Sequence, residues 1–116
     1  MLYKPKQGDL VWINFDPSVG IEIKKRRPAV VVSTDDFNRL THSVIVCPTT
    51  STKRNYETFP YYELENYKTH GYVVTSQLRT LDYTQRKIEY IEHLRASDLA
   101  MIGQLVGQTM HINLFK

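Results

Sequence analysis

The sequence is poor in the residues that would supply covalent or metal cross-links. It has one cysteine, Cys47, so no disulfide can close within the chain and no cysteine cluster can hold a metal. It has no low-complexity tract and no Gly/Ser-rich linker, and no apolar run approaches the about 20 residues that span a bilayer. The first ten residues mix charge and proline and lack a signal-peptide core. We therefore expect a cytosolic protein with no membrane segment, bound metal or other cofactor.

What is present describes an ordinary globular domain. The 116 residues are 41% hydrophobic and 23% charged, close to the averages for folded proteins, so intrinsic disorder is not expected. This length predicts a single domain over residues 1–116. A domain of this size buries a modest core and often gains further burial from a partner subunit.

The positive charge of the chain is modest but clustered. The formal net charge is +3, which is weak evidence for any partner. The cations lie mainly in two segments, Lys24, Lys25, Arg26 and Arg27, and then Lys53 and Arg54. Clusters of this kind favour a polyanion such as a nucleic acid backbone. The charge run alone leaves a solvated basic loop as an open alternative.

Hydrophobic patterning predicts many short strands. We predict strands over 9–15, 28–33, 43–49, 59–64, 72–78 and 87–93, a loop from 16 to about 26, another over 50–55, and a short helical turn over 35–40. Thr34 or Asp35 would cap that turn, and Gly71 would turn the chain between the fourth and fifth strands. Trp12 lies within the first apolar strand and is interpreted as a core residue.

The chain should end in a helix that begins at about Ser97, a plausible N-cap, with Asp98 in its first turn. Residues recurring at helical spacing would dock it on the sheet: Leu99, Ile102, Val106 and Met110. Gly103 and Gly107 would permit another backbone to approach closely. We predict a mainly β fold with a C-terminal helix (α+β), a compact SH3-like barrel of short antiparallel strands.

An ordered set of motifs resembles the MazF/PemK-type toxin family. The family opens with a G-D strand, an F-D-P turn, a G-x-E loop and an R-P strand, found here as Gly8-Asp9, Phe15-Asp16-Pro17, Gly20 with Glu22, and Arg27-Pro28. The segments VCPTTS (46–51) and SQLRTLD (76–82) and the terminal helix also match, so the resemblance covers nearly the whole chain. It implies a homodimeric toxin of a type II toxin–antitoxin pair, which cleaves single-stranded RNA at short sequences without the ribosome.

Metal-free RNA cleavage uses the neighbouring 2′-hydroxyl as nucleophile, so the site must stabilise negative charge on the phosphorane. Arg27 suits this task because its guanidinium is permanently charged and can hold two phosphoryl oxygens. The alternative is that Arg27 pairs with a surface carboxylate. Thr50, carried over from the family position at the end of the third strand, would donate to a phosphoryl oxygen or position the 2′-hydroxyl. A one-residue registration error with Thr49 or Ser51 stays open.

Glu22 is the candidate proton acceptor, because an arginine is almost never neutral at pH 7. It would act as the base or form a salt bridge that orients Arg27, and an exposed loop glutamate is the third possibility. RNA phosphates would be held by the surrounding cations and one hydroxyl: Lys24, Lys25, Arg26, Ser51, Lys53 and Arg54. Unpaired bases could stack on Tyr56, Tyr61 or Tyr62, although core or dimer contacts are the commoner role of such tyrosines.

The sequence departs from the family at two positions. Ser76 and Val74 stand where some members carry an acidic residue and an arginine, so no role of those side chains is transferred. The neighbouring matches are interpreted as structural, through buried hydrogen bonds, in preference to catalytic: Arg79, Thr80 and Asp82. The histidines share no spacing and are interpreted as surface or interface residues: His42, His70, His93 and His111.

Two other classes of function remain. The barrel could be a non-enzymatic interaction module, which would bind RNA without products. It could also be a toxin that blocks a protein target such as a topoisomerase through its C-terminal helix, which would not need Arg27 and Thr50. An acidic, flexible antitoxin is expected from the resemblance, since such a segment could lie along a basic groove. The sequence identifies neither that antitoxin nor the RNA motif that is cut.

Overall fold

A computed structural model describes residues 2–15, 26–52 and 61–110. The elements follow in the order β1 (Asp9–Asn14), β2 (Arg26–Val31), α1 (Asp35–Thr41), β3 (Ser43–Thr50), β4 (Tyr62–Leu64), β5 (Gly71–Val73), β6 (Arg79–Asp82), β7 (Glu89–His93) and α2 (Ala96–Thr109). A short 3-10 turn, Tyr83–Gln85, joins β6 to β7. Within these ranges no helix is long and apolar enough to cross a membrane.

The strands form one seven-stranded antiparallel sheet in the order β4-β5-β3-β2-β1-β7, with β6 paired to β3 off this path. The long strand β3 therefore has two partners along one edge. Its first half, 43–46, pairs with β6, and its last residues, Thr49 and Thr50, pair with β5. The end of β3 thus lies between β2 and β5. The prediction of a mainly antiparallel β fold with a C-terminal helix is confirmed, and the likeness to an SH3 barrel stays a prediction.

Apolar side chains fill both faces of the sheet. Neighbouring residues of a strand point to opposite faces, so Leu10 and Val30 join one cluster while Val11 and Val31 join the other. The helix α2 covers the first of these clusters through Ile102, which is fully buried. The first strand therefore contributes buried side chains to both faces of the sheet.

Several predicted strand boundaries were wrong, chiefly at the basic segment and around the turn between β4 and β5. The second strand begins at Arg26 and not at Pro28, because Arg26 and Arg27 pair with β1 opposite Asn14 and Ile13. The predicted strand 72–78 is replaced by the shorter β5, and the described part of the predicted strand 59–64 contains β4, while residues 59 and 60 lie outside the described ranges. The turn between them lies over 65–70, and Gly71 begins β5 instead of forming the turn.

The strand β6 was missed altogether. Its sequence, RTLD, has one buried residue, Leu81, so its pattern is too short to indicate a strand. Pairing with β3 stabilises it, at partners Ile45 and Thr80 among others. Contacts between distant segments therefore decide its conformation.

Both helices are present, with one cap placed incorrectly. In α1 the Thr34 hydroxyl accepts the Phe37 N–H, as predicted. The helix α2 starts at Ala96 with Arg95 at the N-cap position and no capping side chain, so Ser97 is not the cap. Met110 lies beyond the helix end and is 60% exposed, so it does not dock on the sheet.

Trp12 is not a core residue. It is 38% exposed, and the Arg26 guanidinium lies 5.5 Å from its ring centroid. The prediction failed because β1 has an unburied position at its centre, which an all-apolar segment does not reveal. Gly103 and Gly107 face open space, since a methyl group added at either would meet no described atom within 4 Å. No backbone of the described chain therefore approaches them closely.

Candidate active site

A polar cleft of about 310 Å³ opens where β2, β3 and the segment before β5 meet. It is lined by Arg27, Pro28, Thr49, Thr50, Ser51 and His70. The register explains this meeting: Ala29 lies opposite Pro48, so moving two residues outward on each antiparallel strand brings Arg27 level with Thr50. The structure therefore brings together Arg27, Thr50 and Ser51, which were selected from the sequence.

Strand geometry separates the two adjacent arginines. Arg26 and Arg27 point to opposite sides of β2, because successive side chains of a strand alternate. Arg26 forms an ion pair with Glu89, stacks on Trp12 and donates to the Lys87 carbonyl at 3.1 Å. Its guanidinium is therefore engaged in contacts on the side of β7, away from the cleft.

The Arg27 side chain is exposed and forms no hydrogen bond or ion pair with the residues that the structure describes. Other arginines in the same ranges contact carboxylates or carbonyls of this chain: Arg26, Arg39, Arg79, Arg86 and Arg95. The described residues therefore do not support the alternative that Arg27 pairs with a surface carboxylate. None of the described residues thus competes with an anion in the cleft for this guanidinium.

The hydroxyls at the end of β3 differ in their availability. The Thr49 side chain is buried and donates to the Pro28 carbonyl at 2.9 Å, which ties β3 to β2. The Thr50 hydroxyl accepts the Thr52 backbone N–H at 3.3 Å and has a marginal contact to the Thr52 carbonyl at 3.5 Å, so its proton is only weakly engaged, and Ser51 is exposed. The structure therefore favours Thr50 or Ser51 over Thr49 as the hydroxyl that could reach a ligand.

His70 lies in the cleft and was missed as a site residue. No spacing in the sequence links it to Arg27, since it reaches the site only through the pairing of β5 with β3, Thr50 opposite Tyr72. The other histidines in the described ranges lie elsewhere: His42 is exposed at the end of α1, and His93 Nδ1 lies 2.7 Å from an Asp9 carboxylate oxygen. His111 lies outside the described residues.

Several predicted site residues also lie outside the described ranges: Glu22, Lys24, Lys25, Lys53, Arg54 and Tyr56. Both residues that depart from the family pattern are among those that the structure describes. Val74 is buried, and Ser76 is exposed. Tyr62 donates its hydroxyl to Asp98, and Tyr61 packs against Tyr72 with ring centroids 6.5 Å apart.

The matched LRTLD segment serves the fold, but not through buried hydrogen bonds as predicted. Arg79, Thr80 and Asp82 are all exposed. Arg79 lies over the Phe15 ring at 5.8 Å, and the Asp82 carboxylate accepts the backbone N–H of Thr84 at 2.9 Å to start the 3-10 turn. These contacts form at a sheet edge, where a hydrophobic pattern gives little information about burial.

The cysteine near the cleft is inert. Cys47 is fully buried beneath the end of β3, and burial raises the pKa of its thiol to about 12. Almost no thiolate is present at neutral pH, so Cys47 is no nucleophile. Over the described parts of the chain, no three side chains of His, Cys, Asp or Glu gather as a metal site would require.

The fold is that of known toxins. The crystal structure of MazE-MazF (Form-III) from Deinococcus radiodurans superposes with a TM-score of 0.82 at 32% identity, covering 96% of this chain and 100% of that one. The Endoribonuclease MazF9 of Mycobacterium tuberculosis is 31% identical over 120 residues, covering 95% of this chain and 98% of that protein.

The Endoribonuclease toxin MazF of Escherichia coli K12 is 41% identical over 54 residues, which are 47% of this chain and 49% of that protein. This match therefore spans about half the length of the E. coli relative. A family model described as "PemK-like, MazF-like toxin of type II toxin-antitoxin system" matches residues 6–110. The chain belongs to this toxin family.

Proposed function

We propose that this protein is the toxin of a type II toxin–antitoxin pair and acts as an endoribonuclease. It cleaves single-stranded RNA at short sequences, independently of the ribosome, and thereby inhibits translation and growth. Its family and its relatives from E. coli and M. tuberculosis, both named as endoribonucleases, support this activity. The reaction is a metal-free transesterification that leaves a 2′,3′-cyclic phosphate and a 5′-hydroxyl.

The observation that carries the proposal is the guanidinium of Arg27, which has no partner among the described residues, beside the hydroxyls of Thr50 and Ser51 in a polar cleft. Charge builds on the non-bridging oxygens when the 2′-oxygen attacks phosphorus, and a fixed cation stabilises that charge best when no other anion competes. Thr50 would donate to one of these oxygens or position the 2′-hydroxyl. Both groups line the cleft before RNA arrives, so little reorganisation is needed.

Glu22 completes the proposal as base or as orienting partner of Arg27. The base role requires that its carboxylate accept the 2′-hydroxyl proton. Glu22→Gln removes the carboxylate while keeping the size of the side chain. Cleavage at a near wild-type rate by this variant would eliminate the base role, and a large loss would support it.

Affinity for RNA would come from phosphate contacts around the cleft, made by Lys24, Lys25, Ser51, Lys53 and Arg54. Arg26 contributes less than the sequence suggested, because it is engaged by Glu89 and Trp12. Stacking of unpaired bases is proposed for Tyr56, Tyr61 or Tyr62, of which Tyr61 also packs against Tyr72 and Tyr62 donates its hydroxyl to Asp98.

The partners follow from the same family. We assign the protein to the cytoplasm as a homodimer, inhibited by a cognate acidic antitoxin. The D. radiodurans structure of MazE-MazF supports a partner protein of this kind. An acidic segment would compete with RNA for the same cations, so binding of the antitoxin and of RNA should be mutually exclusive.

The test compares Arg27→Ala with Arg39→Ala on a long RNA in EDTA. Arg39 is a matched control, because it is an exposed arginine of α1 whose partner is Asp36. We expect the first variant to lose at least about 100-fold in cleavage rate while the second stays near the parent. Chemical analysis should find 2′,3′-cyclic phosphate ends on the wild-type products.

Two results would contradict the proposal. Folded Arg27→Ala that cuts as fast as its parent would place the site elsewhere. Intact RNA after incubation with the pure wild-type protein would favour a binding module or a toxin directed at a protein target.

A further inference from the structure

A titratable side chain lies in the cleft across from Arg27. The sheet places β3 between β2 and β5, so Arg27 approaches from one flank of Thr50 and His70 from the other. Phosphoryl transfer requires the attacking and leaving oxygens to lie in line on opposite sides of phosphorus. A phosphate held at Thr50 and Arg27 would therefore turn one of these two oxygens toward the β5 flank.

The position of His70 is fixed on one side by Gly71. Gly71 has φ +122°, a conformation that L side chains rarely adopt, and a methyl group added there would overlap the Thr50 carbonyl. This close approach sets residue 70 beside the end of β3. Glycine at 71 thus brings the imidazole to the same cleft as the Thr50 hydroxyl.

A carboxylate also holds the backbone of the turn that precedes His70. Glu92 of β7 accepts the backbone N–H of Lys68 at 3.0 Å and that of Thr69 at 2.8 Å, with one oxygen each. Thr69 itself is buried. The backbone that leads into His70 is therefore held by two charge-assisted hydrogen bonds, and the imidazole projects from a defined point.

The reaction needs a proton donor that the other described residues lining the cleft do not supply. The 5′-oxygen leaves as an alkoxide unless it is protonated as its bond to phosphorus breaks. Arginine does not release its proton at neutral pH, and the hydroxyls of Thr50 and Ser51 are too weakly acidic. Imidazole is the side chain best suited to exchange a proton there, and His70 is the imidazole that lines this cleft.

We propose that His70 is the general acid of the reaction, a role that rests on the endoribonuclease function proposed above. The 2′-oxygen forms a bond to phosphorus while the bond from phosphorus to the 5′-oxygen breaks. The 2′-hydroxyl proton passes to a base, for which Glu22 is the candidate, and the protonated imidazole of His70 gives its proton to the 5′-oxygen. The neutral imidazole then regains a proton from solvent, and the base releases to solvent the proton that it took, so both groups return to their starting states.

The experiment changes the leaving group. An RNA with sulfur in place of the 5′-bridging oxygen at the cleaved bond has a thiolate as its leaving group. A thiolate departs without being protonated, so it needs no general acid. His70→Asn is compared with His42→Asn, a matched control because His42 is an exposed histidine remote from the cleft, in a left-handed conformation that asparagine tolerates. Thermal unfolding of each variant establishes that it is folded.

We expect His70→Asn to cleave ordinary RNA about 10² to 10⁴-fold more slowly than wild type. It should cleave the sulfur-substituted RNA within about threefold of the wild-type rate, as expected for a lost general acid. His42→Asn should match wild type on both substrates. Equal loss of rate on both substrates would overturn the assignment, because a base or a purely structural residue is not rescued by a better leaving group.

Wild-type rates for ordinary RNA in folded His70→Asn would also overturn it. Failure of the wild-type protein to cut either RNA would instead refute the endoribonuclease function itself. The two failures are therefore distinguishable.

Discussion

Replacing Gly71 by alanine should damage both the stability and the site of this protein. At φ +122° a non-glycine residue is strained, and the added methyl would overlap the Thr50 carbonyl oxygen and lie 3.1 Å from its carbonyl carbon. Both obstacles are backbone atoms, so no side chain can rotate away to make room. The substitution must therefore either leave the folded state strained at residue 71 or displace the Thr50 backbone.

The magnitude follows from these two effects. A residue held in such a region of φ/ψ space is strained by about 1–3 kcal/mol. Relieving the overlap requires a backbone shift on the order of 1 Å, and a misplacement of that size can lower a catalysed rate by about 10²-fold. We expect a free energy of unfolding lower by about 1–3 kcal/mol in urea denaturation, and cleavage of a short fluorogenic RNA slower by about 10²-fold.

Gly103→Ala is the matched control, since it makes the same chemical change inside α2. An added methyl there meets no described atom within 4 Å. Alanine in a helix interior is favoured over glycine by about 0.5–1 kcal/mol, so this variant should be slightly stabilised and fully active. If Gly71→Ala proved as stable and as active as the parent, the close approach of β5 to Thr50 would not position the cleft, and the reasoning would be refuted.

Two further predictions concern carboxylates outside the cleft. Burial raises the pKa of Asp98, but hydrogen bonds from the Tyr62 and Tyr67 hydroxyls outweigh it, so its pKa lies below the usual value. Because the folded pKa is the lower one, this stabilisation is present above the unfolded pKa of about 4 and is lost as pH falls below it. Unfolding free energies measured from neutral to strongly acid pH should therefore fall less steeply in Asp98→Asn, and parallel curves for variant and parent would contradict this. Asp9 is buried, its carboxylate accepts hydrogen bonds from the Tyr3 hydroxyl and from a backbone N–H, and its other oxygen lies 2.7 Å from His93 Nδ1, so Asp9→Ala, which removes these acceptors, should lower the free energy of unfolding by about 3 kcal/mol in urea; a loss under about 0.5 kcal/mol would show that the carboxylate is dispensable.

Local signals were enough where an element has its own strong pattern. The strand β1, the cap of α1 at Thr34 and most of β3 follow from apolar runs and capping chemistry that are contained within the element. The helix α2 was also predicted, although its first residue was not. Asp98 faces Tyr62 and Tyr67, and these contacts come from β4 and the turn that follows it.

Short elements at the sheet edge were beyond such signals. Strands of three or four residues, such as β4, β5 and β6, have too few positions to show a period. They exist because partners distant in the sequence complete their hydrogen bonds. The exposure of Trp12 was not predictable for the same reason. Its neighbours in the sequence are those of a core residue, and only its contact with Arg26 in the folded chain distinguishes it from one.

For the candidate site, the ordered motifs of the sequence were enough to indicate the family and to select Arg27 and Thr50. Which of two neighbours could act became clear only in the folded chain. Arg26 is engaged by Glu89, whereas the Arg27 side chain has no partner among the described residues. The Thr49 hydroxyl donates to the Pro28 carbonyl, whereas that of Thr50 accepts the Thr52 N–H and has only a marginal acceptor for its own proton. Folding also placed a histidine in the cleft. Strand alternation and the pairing of distant strands cause these differences, and the pairing in particular has no signature in any local stretch of residues.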